Sequence, residues 1–136
     1  MLNYGEDNQQ IRCLALNIYH EARGEPKAGQ FAVAEVTMNR VQSRHYPNSV
    51  CKVVYQRNWD PLRKRYVGMF SWTELDEPPR LKSQFWSQSV RVARKVYGGD
   101  YIPKLKGALF YHARQIRPSW ARNKKPKARI GNHIFY

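Results

Sequence analysis

No stretch of this chain approaches the roughly 20 consecutive apolar residues that a membrane-spanning helix requires. Its first ten residues, MLNYGEDNQQ, have neither the basic start nor the apolar run of a secretion signal. A bilayer-spanning helix is not expected, and nothing here directs export. Cysteine is scarce: Cys13 and Cys51 stand far apart, without the CxxC spacing of a zinc or thioredoxin site, and are either two buried thiols or one disulfide. There is no HExxH pair, nucleophile elbow, phosphate loop or Cys–His signature, so no metal and no cofactor are expected. His20 and Glu21, though adjacent, point to different sides of a helix. Acid is missing from the second half: residues 80–136 hold 14 Lys and Arg against Asp100 alone, whereas residues 1–79 hold 10 against 9 acids.

What is present is a globular composition. At 136 residues, with four Trp and nine Tyr and no low-complexity tract or repeat, the chain can bury roughly two-thirds of its unfolded surface, and residues 1–136 read as a single domain. The formal net charge of +14 attracts polyanions: nucleic acid, anionic lipid, lipopolysaccharide, or the teichoic acids and stem-peptide carboxylates of a cell wall.

Apolar residues at spacings of three and four, Ile11, Leu14, Ala15, Ile18, Tyr19 and Ala22, predict an amphipathic helix over residues 7–23, with Asp7 and Gln10 as a capping box. Gly24 suits its left-handed close and Pro26 the first turn of the next helix. That helix carries two apolar stripes, as a central buried helix would. A turn through Pro47 leads to a short helix capped by Asn48 or Ser49. Residues 57–80 have much turn chemistry and read as a long functional loop, with MFSW as a short strand. LKSQFWSQSVRVARKVYGG is helical, with Phe85, Trp86, Val90, Ala93, Val96 and Tyr97 along one face. GALFYHA and ARIGNHIFY read as two paired strands joined by a cationic loop. The expected class is α+β, mainly α, with a small antiparallel sheet.

The segment NIYHEARGEP places Glu21 and Glu25 on either side of a helix-to-helix corner. A carboxylate in the last helical turn faces the negative end of the macrodipole, at a cost of roughly 0.3–1 kcal/mol. The bland reading is a surface glutamate paired with Arg23. The alternative is that burial and the dipole raise its pKa, as a general acid working near neutral pH needs.

NIYHEARGEPKAGQFAVAEVTMNRV, followed in order by YPNSVCKVVYQ, FSW, ALFYHA, PSWA and IGNHIFY, resembles the SleB-type cell-wall hydrolases, which include spore cortex-lytic enzymes and phage and bacterial peptidoglycan hydrolases. The resemblance runs along almost the whole chain. It implies a lysozyme-like fold that cleaves peptidoglycan glycan strands between N-acetylmuramic acid and N-acetylglucosamine, with Glu21 as the catalytic acid and Glu25 as runner-up. Glu25 could equally cap the second helix.

Glycoside hydrolysis ordinarily takes two carboxylates, whereas a lytic transglycosylase needs one. Glu25, Glu35 and the Glu74, Asp76, Glu77 cluster are candidate second acids without a clear spacing to Glu21, so transglycosylation is expected, with a hydrolytic muramidase as the alternative. Asn39, Ser71, Trp72, Tyr111, His112, Trp120 and His133 are candidate substrate contacts. Each has a competing structural role: Asn39 in a core hydrogen bond, the aromatics in packing, and the two histidines buried across the strand pair. Peptidoglycan is the expected partner, with the basic half holding a monomer to anionic wall or envelope polymers. A wall-acting, phage-encoded endolysin or a trimmed secreted protein is the expected context. A nucleic-acid-binding module would account for the charge but not for the corner.

Overall fold

The computed structural model describes residues 4–136. Helix α1 spans Tyr4–Ala22. It begins before Asp7, so the expected capping box is not made; inside the ladder these side chains are free to reach across. Asp7 Oδ1 accepts from the Tyr97 hydroxyl at 2.8 Å and Gln10 Oε1 from the Cys51 amide at 2.9 Å. Gly24, at φ +83°, closes the turn. Helix α2, Lys27–Gln42, follows with Pro26 as its N-cap. The short α3, Val50–Val54, is capped by Ser49, whose side chain accepts from the Lys52 amide.

Cys13 on α1 and Cys51 on α3 form a disulfide, with Cα atoms 5.2 Å apart and a sequence separation of 38. Closing a loop of that length removes about 4 kcal/mol of denatured-state freedom in the chain-entropy treatment. Cys51→Ser is therefore expected to lower the unfolding free energy by about 2–4 kcal/mol in a urea titration, and the wild type under reductant should follow it. Superimposable oxidised and reduced curves would show that the bridge adds no stability.

Helix α2 separates two clusters. Ala34 belongs to the one built with Leu14, Ile18, Tyr19, Val50, Val54, Trp86 and Val92. Ala32, Val33 and Val36 belong to the other, with Ala22, Leu105, Ala108 and Phe135. The buried, central position read from the sequence is met, but the stripes divide differently from the expected Ala28, Phe31, Ala32, Glu35, Met38 and Val33, Val36, Thr37, Val41. Ala32 joins Val33 and Val36 in the second cluster, while Phe31, Met38 and Val41 pack on the first. Full burial of side chains such as Leu14 and Ile18 stabilises by about 1.5–3 kcal/mol each.

Strands β1 (Arg57–Asp60) and β2 (Arg65–Gly68) form a hairpin where a long loop was expected. MFSW is not a strand; Ser71–Glu74 is a single 3₁₀ turn. Gly68 N–H, at the end of β2, donates to Glu74 Oε1 at 2.6 Å, so a side chain ties the turn back to the strand. Helix α4, Gln84–Tyr97, is capped by Ser83 and buries Trp86, Ser89, Val92 and Ala93. Phe85, expected on that face, is 51% exposed and Val92 takes its place.

The second half supplies three strands rather than two: β3 (Tyr111–Ala113), β4 (Ala128–Ile130) and β5 (His133–Phe135). The stretch ARIGNHIFY is itself a hairpin, because Gly131 at φ +57° permits a two-residue turn with Asn132. β5 is central, and the cationic loop joins the two edge strands. His112 pairs with Ile134 and His133 with Ala113, so the two histidines occupy opposite faces and do not meet.

Candidate active site

Glu21 is set in the last turn of α1, and the Gly24 reversal turns that helix end toward the sheet face bearing Tyr111, His133 and Phe135. The Tyr111 hydroxyl donates to Glu21 Oε1 at 2.6 Å. Glu21 Oε2 has no hydrogen-bond partner among the described residues. Burial raises the Glu21 pKa above the usual carboxyl value, against the opposing pull of the Tyr111 hydrogen bond and of the charges on His133 and Arg40. Burial also pushes the Tyr111 phenol well above its ordinary value, helped by the nearby Glu21 charge, so it stays a donor.

This arrangement sets the sign of a titration. Tyr111 donates to the ionised form of Glu21, so Tyr111→Phe is expected to raise the Glu21 pKa further. The alkaline limb of the pH–rate profile should then move to higher pH; an unmoved limb would mean that the hydrogen bond does not act on the titrating group.

Glu25 is held differently. Its Oε1 accepts from the Asn132 amide at 3.0 Å and its Oε2 from Asn132 Nδ2 at 3.3 Å. His133 Nδ1 stands 3.1 Å from Oε1, at ion-pair distance but outside hydrogen-bond geometry. A Cβ on Gly131 would come within 3.3 Å of this carboxylate, so glycine serves both the turn and the approach. Glu25 thus fastens the helix corner to the β4–β5 turn, and its main-chain carbonyl accepts from Gln30 Nε2 at the start of α2. His133 in turn packs edge-on against Tyr111, with ring centroids 5.2 Å apart.

Glu35 lies in the core, 2% exposed. Its carboxylate accepts from the Tyr101 hydroxyl at 2.7 Å, the Lys104 amide at 2.9 Å and the Leu105 amide at 2.8 Å. Asn39 Nδ2 donates to the Ala108 carbonyl at 2.9 Å and Arg40 Nε to that of Leu109 at 2.8 Å, pinning the approach to β3 onto α2. Both Glu35 and Asn39, expected as a possible acid and a substrate contact, are occupied by backbone groups that have no other partner in the turn.

Trp72 sits one turn back along α1 from Glu21: its Nε1 donates to Asn17 Oδ1 at 2.9 Å, and its ring stacks on His20 at 4.5 Å. Burial, then the Arg23 charge, lowers the His20 pKa. Ser71 is exposed at the start of the same 3₁₀ turn. His112 and Trp120 lie away from the acid. His112 bonds the Tyr136 hydroxyl at 2.8 Å and the Ala113 carbonyl at 2.7 Å, and Trp120 packs against both His112 and Tyr136.

Arg40, Asn17 and Asn132 were missed from sequence. Arg40 is buried over the rings of Tyr46 and Phe70, and a cation on an otherwise apolar helix face was the available signal. Among the described residues no three His, Cys, Asp or Glu side chains gather to hold a metal ion, and no helix is long and apolar enough to cross a membrane.

Residues 24–136 match the family model described as Cell Wall Hydrolase. The chain is 32% identical over 136 residues to the spore cortex-lytic enzyme of Bacillus subtilis (strain 168), covering 96% of this chain and 38% of that protein. It is 42% identical over 133 residues to the spore cortex-lytic enzyme of Halalkalibacterium halodurans, covering 96% and 36%. The curated relatives are thus much longer than the part this chain spans. Among solved structures, the catalytic domain of the Bacillus cereus SleB protein is similar at a TM-score of 0.70 and 27% identity, with 94% of this chain and 89% of that one covered. The catalytic domain of the germination-specific lytic transglycosylase SleB from Bacillus anthracis gives 0.69 and 27%, covering 93% and 92%. The lysozyme-like, mainly helical fold agrees with these neighbours. With the family model matched from the Gly24 corner to the last residue, this chain belongs to the cell wall hydrolase family.

Proposed function

We propose that this chain cleaves the glycan strand of peptidoglycan between N-acetylmuramic acid and N-acetylglucosamine as a lytic transglycosylase, with Glu21 as its only acid and base. The observation that carries the reading is the inequality among three carboxylates. Glu21 has one oxygen on Tyr111 and the other without a partner among the described residues, whereas Glu25 and Glu35 have donors on both oxygens. A two-carboxylate hydrolysis needs a second acid free to activate water or to attack the sugar, and neither Glu25 nor Glu35 is free; Glu74, Asp76 and Glu77 are exposed in and just after the 3₁₀ turn, outside this buried set. The name of the Bacillus anthracis neighbour supports the same chemistry.

Burial keeps a larger share of Glu21 protonated near neutral pH. Its proton passes to the bridging oxygen as the bond from that oxygen to the muramic anomeric carbon breaks. The carboxylate so formed takes the proton of the muramic C6 hydroxyl while that oxygen bonds to the anomeric carbon, closing a 1,6-anhydro ring and restoring the acid. Tyr111 holds the carboxyl in one orientation through both halves. Trp72, fixed on its edge by Asn17 one turn back from Glu21, offers an aromatic ring for a sugar to meet.

Mass spectrometry of the muropeptides released from purified peptidoglycan tests the proposal. Anhydromuramic ends are expected. Reducing muramic ends would replace transglycosylation with hydrolysis, and intact glycan with cut peptides would overturn glycan cleavage altogether.

A further inference from the structure

We infer that the face of the β3–β5–β4 sheet turned away from Glu21 binds a phosphodiester polymer of the bacterial wall, in a cavity ringed by Arg114, Arg117, Arg122 and Arg129. The choice of polymer rests on the wall-directed function proposed above; the site itself rests on the surface.

Strand alternation sends Tyr111, His133 and Phe135 toward the helices and His112, Ile134 and Arg129 to the other side. On that side lies a cavity of about 630 Å³, lined by His112, Pro118, Ile134 and Tyr136 between the arginines. Neither Glu21 nor Glu25 lines it, and no other Asp or Glu side chain does. The four guanidiniums are exposed, and none has a carboxylate within ion-pair distance among the described residues. Four like charges around one concavity repel each other unless an anion joins them, and the planar guanidinium fork suits phosphate oxygens.

A second depression of about 270 Å³, lined by Lys124, Lys125 and Lys127, shares Tyr136 with the first. A small anion fills one of the two; a chain with a charge on every unit spans both. Single-stranded nucleic acid would also want free ring faces for its bases. Here Phe110, His112, Trp120 and Tyr136 pack on one another, and the Lys124 ammonium covers the Phe110 ring at 4.9 Å.

The test is calorimetric titration of poly(glycerol phosphate) into the Glu21→Gln protein, which removes turnover. Binding is expected to weaken at least tenfold in Arg117→Gln/Arg122→Gln. It should change less than twofold in Arg91→Gln/Arg94→Gln, which removes equal charge from exposed positions of α4. No binding, equal weakening by both pairs, or tighter binding of single-stranded DNA with the same number of phosphates would overturn the site. Cleavage of polymer-free glycan strands, measured with Glu21 intact, reports on the catalytic proposal separately. The Arg117/Arg122 pair is expected to leave that rate unchanged.

Discussion

Glu21→Gln is expected to lower the rate of glycan cleavage about a thousandfold, within the range that a positioned general acid contributes, while the fold survives. The amide keeps the shape of the carboxyl and can still accept from Tyr111, but it has no proton to give to a leaving oxygen. The same substitution carries a stability prediction of fixed sign. Because burial raises the pKa of Glu21 in the folded state, the native protein holds that proton more tightly than the unfolded chain does. The stabilisation this provides is complete below the unfolded value of about 4.5 and is lost as pH rises through the higher folded value. Wherever Glu21 is ionised in the folded protein it is therefore a burden that glutamine removes. Thermal unfolding at pH 7 should show the variant at least as stable as the wild type, and the gap should close in acid. Wild-type turnover from Glu21→Gln would end the assignment. Glu25→Gln, whose carboxylate holds the Asn132 turn, is expected to retain measurable cleavage and lose some stability.

Glu35→Ala is expected to behave in the opposite way, lowering the unfolding free energy by about 3–5 kcal/mol through the donors it strands and the cavity it leaves. Glu35 receives two backbone N–H groups and a hydroxyl in a site 2% exposed. Removing it strands all three, and the segment carrying Leu105 and Ala108 loses its main hold on α2. Because that segment leads into β3 and Tyr111, activity should fall at temperatures where the variant is partly unfolded and recover on cooling. Equilibrium urea unfolding, with activity measured on the folded fraction, separates the two effects. Unchanged stability with abolished turnover would return Glu35 to the list of catalytic acids.

These contrasting expectations concern carboxylates that look alike in the sequence. Local pattern could place α1, the corner at Gly24 and the buried α2, because amphipathic spacing, a left-handed glycine and a proline at the next helix start act over a few residues. It could also single out Glu21 as oddly placed against the helix dipole. It misjudged the capping box at Asp7, where the helix begins earlier and the side chain turns to Tyr97. It merged a hairpin into one strand at Gly131 and Asn132, since a short apolar run does not reveal where a two-residue turn falls.

What each acid can do is decided by donors far along the chain. Tyr111 is 90 residues from Glu21, Asn132 is 107 from Glu25, and the Leu105 amide is 70 from Glu35. The sequence by itself determined the helices, the corner and the kinship with wall-degrading enzymes, because those depend on neighbouring residues and an ordered run of motifs. Only the tertiary structure decided which of Glu21, Glu25 and Glu35 keeps an oxygen without a donor among the described residues, because satisfying a buried polar group depends on which distant backbone and side-chain donors the packed sheet brings to it.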